Sequence, residues 1–269
     1  ISIFIPNNME IFIDQIKDPD QNSFDCVKIV KISTSIFFIP DALQKFNSLE
    51  QVLLENPSSI TSISAAAFRN CKSLKQIDLP SSVKEIGNNS FYGCESLKKI
   101  EIPNDVSMIR YSTFEECTSL IEISIPSTVK TIGRLAFKGC KCLKQISVLS
   151  VTEIEEETFR GCESLENISI PSAIIIKDSA FFGCNKLSKI TFSSSLKSIG
   201  KNAFGYCLSL TKLTFPDSLT SFGHDAFKEC TKLNRVTLSS IMNIPKEVFP
   251  ETTKFDYYSD DWELKFGSY

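Results

Sequence analysis

The stretch that decides the fold runs from Leu74 to Cys94 and reads LKQIDLPSSVKEIGNNSFYGC. It ends in a Phe-x-x-Cys step, and three residues later a Leu begins the phrase again. The same Phe-x-x-Cys-x-x-Leu step occurs in eight copies, which are 22 or 23 residues apart. A fixed period of this length is typical of a solenoid, in which each repeat forms one coil and buries its apolar residues against its neighbours.

Each repeat begins with a short alternating segment, such as residues 74–79 (LKQIDL). Since side chains alternate across a strand, Ile77 and Leu79 point to one face and Asp78 points to the other. A proline often follows and ends the strand, because it has no N–H to give to a sheet. Stacked coils therefore predict a parallel sheet on one face of the solenoid. A second apolar column, which includes Ile86, predicts another short extended run.

The last part of each repeat carries the Phe and Cys columns, whose members stand three residues apart and would share one face of a helix. This spacing predicts a short helical turn, and the small residue before each Phe would let that turn lie close to the coil beneath. Four copies have a glycine that predicts a bend, at Gly87, Gly133, Gly200 and Gly223. The acidic run 153–157 (EIEEE) precedes one such turn, where a helix dipole favours acids; a metal or partner site is the alternative.

Ten cysteines are present, and eight of them stand in the Cys column. Cys26 keeps the same step in a degenerate repeat, and Cys142 lies next to the column, two residues after Cys140. Free cysteine behaves as a small buried hydrophobe, so we interpret the column as free thiols that pack in the core. Disulfides along the column and metal ligation remain alternatives, although parallel stacked side chains do not give the dihedral angle of a disulfide.

The repeats continue through most of the chain, so we predict a single domain over residues 1–269. In this division 1–59 are degenerate N-terminal coils, 60–249 are regular repeats and 250–269 are a C-terminal cap. The first residues, from Ile1, resemble the middle of a repeat, and we expect the sequence to start within a coil. The cap contains the single Trp, Trp262, among aromatic residues that would cover the last coil; a ligand-stacking site is the alternative.

The sequence lacks the motifs that carry catalysis or cofactor binding. Its single histidine, His224, lies in a column that varies between repeats, and no motif supplies a nucleophile for it. There is no Gly-rich phosphate loop and no C-x-x-C pair. A net charge of −3 and a pI of about 5.4 argue against a general nucleic-acid-binding surface, and no apolar run has the length of a membrane helix. We therefore expect no cofactor, no metal, no nucleic acid, no membrane span in this chain and no enzymatic activity.

Function has to come from the outward residues of the predicted sheet, because packing already explains the inward ones. The three outward columns over residues 74–238 hold seven Lys or Arg and four acids, so this face carries +3 on a chain of −3. The alternative is that these side chains only solvate an exposed sheet. Asn88 and Asn167 begin Asn-x-Ser sequons, and a glycan on Asn167 would obstruct the face. The predicted partner-binding residues are Lys99, Glu122, Ser124, Gln145, Ser147, Asn167, Ser169, Lys189, Thr191, Lys212, Thr214, Arg235 and Thr237.

The consensus L-x-x-I-x-I-P-x-x-V-x-x-I-G-x-x-A-F-x-x-C-x-S-L resembles the BspA-like class of leucine-rich repeats, most fully at 74–97, 120–143 and 187–210. The resemblance covers residues 60–249 well and the flanks loosely. It implies an α/β solenoid, that is, a right-handed leucine-rich repeat superhelix of 22–23-residue repeats with a parallel β-sheet on one face.

Proteins of this class are commonly surface or secreted proteins of mucosal parasites and bacteria, and they are associated with adhesion. The resemblance therefore implies a non-enzymatic protein–protein interaction module, a cell-surface or secreted adhesin that binds host extracellular matrix or cell-surface proteins. An intracellular, cytoplasmic leucine-rich repeat scaffold is the alternative, and free thiols suit it equally well. A signal peptide or an anchor encoded in the full-length gene would separate the two.

Overall fold

The computed structural model describes residues 2–5, 9–12, 27–32, 37–54, 59–239 and 245–258. Over these residues the chain winds into a parallel-strand β-solenoid of about 9 turns, with a spacing of about 22 residues. A regular coil contains two short strands joined by turns, and equivalent strands of successive coils lie side by side. The core runs along the axis of the solenoid, since each coil buries its apolar residues against its neighbours.

The strands, in chain order, are β1 (Ser2–Ile5), β2 (Met9–Phe12), β3 (Ile29–Ile32), β4 (Phe38–Ile39), β5 (Gln51–Leu54), β6 (Ser62–Ile63), β7 (Glu85–Ile86), β8 (Lys99–Glu101), β9 (Met108–Ile109), β10 (Glu122–Ser124), β11 (Thr131–Ile132), β12 (Gln145–Ser147), β13 (Glu153–Ile154), β14 (Asn167–Ser169), β15 (Ile175–Ile176), β16 (Lys189–Thr191), β17 (Ser198–Ile199), β18 (Lys212–Thr214), β19 (Ser221–Phe222), β20 (Arg235–Ser239) and β21 (Lys254–Tyr258).

The predicted sheet on one face is formed by the strands that follow the Leu column, and we call it the front sheet. In the regular repeats its paired blocks are β8–β10, β12–β14–β16 and β18–β20–β21, all parallel and in register. Phe192 and Phe215 stack with ring centroids 5.3 Å apart and so join the coils of β16 and β18 from inside. The middle residue of most of these three-residue strands is buried, as the alternation predicts.

The second apolar column forms the predicted extended run. These two-residue strands pair in parallel as β4–β6–β7, β9–β11 and β13–β15–β17–β19, and we call them the side sheet. The inward isoleucine of each strand in the central coils is fully or almost fully buried, for example Ile86, Ile109 and Ile132. The side sheet thus closes a second wall around the core.

The turn between the Phe and Cys columns is not the helical turn that the sequence predicted. The described residues contain no α-helix; 3₁₀ helices occur at Asp41–Lys45 and Lys246–Val248, outside these turns. In a regular coil, two residues four apart adopt left-handed backbone angles, such as Asn89 (φ 54°) and Gly93 (φ 69°). Their peptide groups therefore turn towards the next coil instead of following a helix.

Backbone hydrogen bonds of this turn run between coils and form a third ladder. The Phe91 N–H donates to the Thr113 carbonyl at 2.9 Å, and the Gly93 N–H donates to the Glu115 carbonyl at 2.8 Å. An α-helix would use the same N–H groups within its own turn. The coils are consequently held together by backbone hydrogen bonds on all three sides.

The Phe column forms a continuous stack along the core. Neighbouring rings lie between 5.0 and 5.5 Å apart, and their planes differ by 2 to 15°. Near-parallel rings at this separation are offset-stacked, which adds to the free energy of burying them. The stacked rings belong to Phe68, Phe91, Phe114, Phe137, Phe159, Phe181, Phe204, Phe227 and Phe249.

The eight cysteines of the column are free and buried, as predicted, whereas Cys142 is exposed. Each of these thiols also donates a hydrogen bond to a carbonyl of the preceding coil, which the sequence did not indicate. Cys117 Sγ lies 3.1 Å from the Phe91 carbonyl, which also accepts the N–H of Cys94 at 3.2 Å. The Cys column therefore combines core packing with a bond between coils.

The glycines that predicted a bend are needed because the adjacent coil comes very close. A Cβ atom on Gly223 would lie 2.2 Å from the backbone N of Lys201, and one on Gly87 would lie 2.4 Å from the backbone N of Ala65. Any larger residue at these positions would push the neighbouring coil away.

The acidic run 153–157 opens no helix, and its acids pair with cations of adjacent coils. Lys177 Nζ lies 2.8 Å from Glu153 and 2.7 Å from Glu155, and hydrogen bonds to these two carboxylates raise the pKa of Lys177. Glu157 lies 3.4 Å from Lys138 Nζ. These acids thus act as ties between coils.

The N-terminal strands depart from the parallel pattern. Strand β1 pairs antiparallel with both β2 and β3, and β3 then pairs in parallel with β5. Cys26 and Trp262, for which we predicted a degenerate Cys step and a place in a cap, lie outside the described residues, as do residues 259–269. The division into end coils, regular repeats and cap stays a prediction.

Candidate functional site

The structure brings all thirteen predicted partner-binding residues to the outer face of the front sheet. Twelve of them are exposed, and only Thr237 is half-buried. The register places them in two rows that run across the strands. The first row holds Lys99, Glu122, Gln145, Asn167, Lys189, Lys212 and Arg235. The second row holds Ser124, Ser147, Ser169, Thr191, Thr214 and Thr237.

Charges on this face are distributed unevenly. Near the N-terminal end, Lys99 Nζ lies 3.2 Å from Glu101 and 4.0 Å from Glu122, so its cation is paired. The hydrogen bond that Lys99 donates to Glu101 and the charge of Glu122 raise the pKa of Lys99. Lys189 and Lys212 have no ion pair with any described residue. The C-terminal end is therefore the basic part of the face.

The structure adds two residues to this face that the sequence reasoning missed. Strand β21 adds Lys254 beside Arg235 and Asp256 beside Thr237, so both rows extend by one residue. Arg235 Nε lies 3.3 Å from Asp256 Oδ2, and this pair neutralises part of the predicted positive charge. The alternation in Lys254-Phe255-Asp256 is the signal that could have indicated a strand here, within a stretch that we had assigned to a cap.

A depression of about 650 Å³ opens at the N-terminal end of the face, between residues 75–79 and 98–101. Residues 76–79 form no strand, and their segment is joined to β5 by a single bridge between Gln51 and Gln76. The side-chain amide of Gln76 donates a hydrogen bond to Asp78 Oδ1 at 3.0 Å, within the same segment. Sequence reasoning did not predict this gap, because the segment belongs to the most regular copy of the repeat.

The remaining features with chemical potential are the single histidine, the metal-ligating side chains and the two sequons. His224 is exposed, and its Nδ1 lies 2.9 Å from Asp225. No cluster of three metal-ligating side chains exists among the described residues. Within the same residues, no helical segment has the length and hydrophobicity needed to cross a bilayer. Both sequon residues, Asn88 and Asn167, are exposed.

A family model described as a BspA type leucine rich repeat region matches residues 39–166 and 152–259 in six copies. Together the two matches cover most of the chain. No significant match was found among curated protein sequences.

Several solved structures have a similar fold. A leucine-rich repeat protein from Bacteroides ovatus is 24% identical, with a TM-score of 0.52 over 87% of this chain and 85% of that protein. The pneumococcal vaccine antigen PcpA is 21% identical, with a TM-score of 0.52 over 92% of this chain and 78% of PcpA. A leucine rich cell surface protein from Faecalibacterium prausnitzii is 24% identical, with a TM-score of 0.45 over 87% and 79% of the two chains. The first two show the solenoid fold.

Proposed function

The chain belongs to the BspA-type leucine-rich repeat family, and we propose that it is a non-enzymatic protein-binding module that works as a cell-surface or secreted adhesin. Its partner is a host extracellular matrix or cell-surface protein, and the binding surface is the outer face of the front sheet. The observation that carries this proposal is the exposure of twelve predicted residues on one face, away from the core.

The physical properties of the face support a large partner. Its central hydroxyl row is low and flat, so it leaves few obstacles to an approaching surface. The unpaired Lys189 and Lys212 would steer an acidic partner towards the C-terminal half, which would make association sensitive to salt. The depression between residues 75–79 and 98–101 offers a place for a protruding side chain of the partner.

Blocking the face directly tests the proposal. In a Cys26→Ser, Cys142→Ser background, Ser169→Cys on the front sheet is labelled with a polyethylene glycol maleimide, and Thr131→Cys on the side sheet is the matched control. Both native positions are exposed, and the thiols of the Cys column are buried. Purified extracellular matrix proteins immobilised one at a time, and fixed epithelial cells, serve as targets.

We expect the label at position 169 to abolish binding and the label at position 131 to leave it unchanged. Equal binding by both labelled proteins would place the interface elsewhere on the solenoid. Failure of the unlabelled protein to bind any of these targets would refute the adhesin proposal.

An intracellular scaffold is the second candidate, and the exposed free thiol of Cys142 favours it. Disulfides persist in oxidising compartments, so an exposed unpaired thiol suits a reducing one. Protease treatment of intact source cells separates the candidates, because a surface protein is cleaved and an intracellular one is protected.

The family also supports a right-handed superhelix, in agreement with the general preference of parallel-strand connections for a right-handed crossover. A crystal structure would give the hand directly.

A further inference from the structure

A row of hydrogen-bond donors crosses the C-terminal part of the front sheet, and we call it the donor row. Its members occupy the same position in six successive front-sheet strands and are all exposed. Amides stand at one end and cations at the other, and none of the six is an acid. The donor row consists of Gln145, Asn167, Lys189, Lys212, Arg235 and Lys254.

The free cations of this row are lysines. Arg235 is engaged by Asp256, whereas Lys189, Lys212 and Lys254 have no ion pair with any described residue. Elsewhere on the solenoid, cations such as Lys177 are tied to acids of adjacent coils. The three lysines thus contribute no visible stabilisation to the fold, while their charges lie in one line.

The surroundings of the row favour a sugar polymer over a protein or a nucleic acid. Beside it runs the hydroxyl row of Ser147, Ser169, Thr191, Thr214 and Thr237, which can donate to and accept from sugar hydroxyls. Neither row contains an aromatic side chain, whereas binding of single-stranded nucleic acid relies on aromatic stacking. The core of a protein interface is rich in aromatic residues and poor in Ser and Lys.

The distance between cations on adjacent strands also favours a polysaccharide. Hydrogen-bonded strands lie about 4.8 Å apart, so the cations of Lys212, Arg235 and Lys254 recur at about this interval. Successive rings of an extended polysaccharide advance by a similar distance, and each can present one sulfate or carboxylate. A fully extended peptide places side chains of one face about 6.6 Å apart, which does not match.

We propose that the donor row binds a linear anionic polysaccharide, with its sulfates or carboxylates on the three lysines and its sugar hydroxyls on the amide and hydroxyl side chains. This inference rests on the proposed use of the front sheet for binding. It makes the glycan chain of a matrix or cell-surface protein, and not its polypeptide, the part that is recognised at the C-terminal half. Two acids lie close to the row: Asp256 pairs with Arg235, and Glu166 stands in the neighbouring outward column. Neither has an ion pair with Lys189, Lys212 or Lys254, and the row itself contains no acid.

The test uses a heparin dodecasaccharide as the probe and two triple variants of the full chain. The row variant is Lys189→Gln, Lys212→Gln, Lys254→Gln. The matched control is Lys84→Gln, Lys130→Gln, Lys197→Gln, three exposed lysines next to the side sheet. Both variants remove three positive charges, so they separate the row from net charge. Unchanged melting curves establish that both variants are folded.

We expect the row variant to lose affinity for the dodecasaccharide by about tenfold or more, and its log affinity to depend less steeply on log salt, by about 1 for each lysine removed. The control should stay within about twofold of the parent. Equal losses in the two variants would overturn the proposal. So would tighter binding of poly-L-glutamate or of a single-stranded oligonucleotide than of the dodecasaccharide. Because the dodecasaccharide contains no protein, this result is independent of whether an immobilised matrix protein binds.

Discussion

Alkaline pH should destabilise this protein steeply, because unfolding exposes eight thiols that the fold keeps protonated. Burial raises the pKa of Cys71 and of Cys230 to about 12, and it raises the pKa of the six thiols between them as well. An unfolded thiol titrates near pH 8.5. Above that pH the unfolded chain binds fewer protons than the folded one, so the free energy of unfolding falls as pH rises.

The size of the effect follows from linkage. One pH unit above the unfolded pKa, each buried thiol lowers the free energy of unfolding by about 1.4 kcal/mol. Eight thiols together give about 11 kcal/mol near pH 9.5, which is comparable with the whole stability of many domains. Their stabilising contribution is complete below about pH 8.5 and is lost progressively as pH rises towards the folded pKa values.

Cys117→Ala isolates one thiol of the column. At neutral pH the variant should be less stable by about 1–2 kcal/mol, because a buried sulfur is removed and a small cavity is left. Its Phe91 carbonyl keeps the N–H of Cys94, so no buried acceptor is left without a donor. At pH 9.5 to 10 the deficit should vanish, since the variant has one ionisable thiol fewer to expose.

Guanidinium unfolding followed by circular dichroism from pH 7 to 10.5, with a reductant present, measures both effects. Cys142→Ala is the control, because its exposed side chain is reached by solvent in the folded protein, and its curve should run parallel to that of the parent. A deficit of Cys117→Ala that stays constant over this pH range would refute the reasoning. Native labelling of the column thiols as fast as that of Cys142 would do the same.

Two further predictions concern the coil itself. Phe137→Ala should lower the free energy of unfolding by about 3–5 kcal/mol, because it breaks the ring stack. The exposed Lys130→Ala should change that free energy by no more than about 0.5 kcal/mol. Equal melting temperatures of the two variants would contradict the assigned register. Glu229→Gly should raise the melting temperature, because Glu229 has a φ of 58°, which costs a non-glycine residue about 1–2 kcal/mol. Thr231→Gly, at an exposed site of ordinary φ, should lower it.

The periodic apolar positions made much of the fold predictable. The Phe, Cys and strand columns each recur at a fixed place, so their inward direction follows from the need of every coil to bury the same face. The turn was different, because a three-residue spacing is compatible with a helix and equally with the observed turn. Glycines such as Gly93 hinted at left-handed angles, but Leu135 and Glu157 occupy the same conformation and carry no such hint.

Contacts between side chains of different coils were the other part that sequence could not give. Lys138 looked like a surface residue, yet it lies 3.4 Å from both Glu115 and Glu157. Burial acts to lower the pKa of Lys138, but the two carboxylates outweigh it and raise that pKa. The contacts between variable residues depend on how successive coils stack in three dimensions. A repeat consensus omits the variable residues and therefore does not contain this information.

The ion pairs between coils indicate which charges are free to serve binding. On the turn and side faces, cations such as Lys138 and Lys177 tie adjacent coils together, so their charge is explained by the fold. On the front sheet, Lys99 and Arg235 are likewise paired with acids of adjacent coils, Glu122 and Asp256. Lys189, Lys212 and Lys254 stand in the same row without an ion pair to any described residue. Three aligned like charges repel one another, so their arrangement costs stability unless an anionic partner is bound.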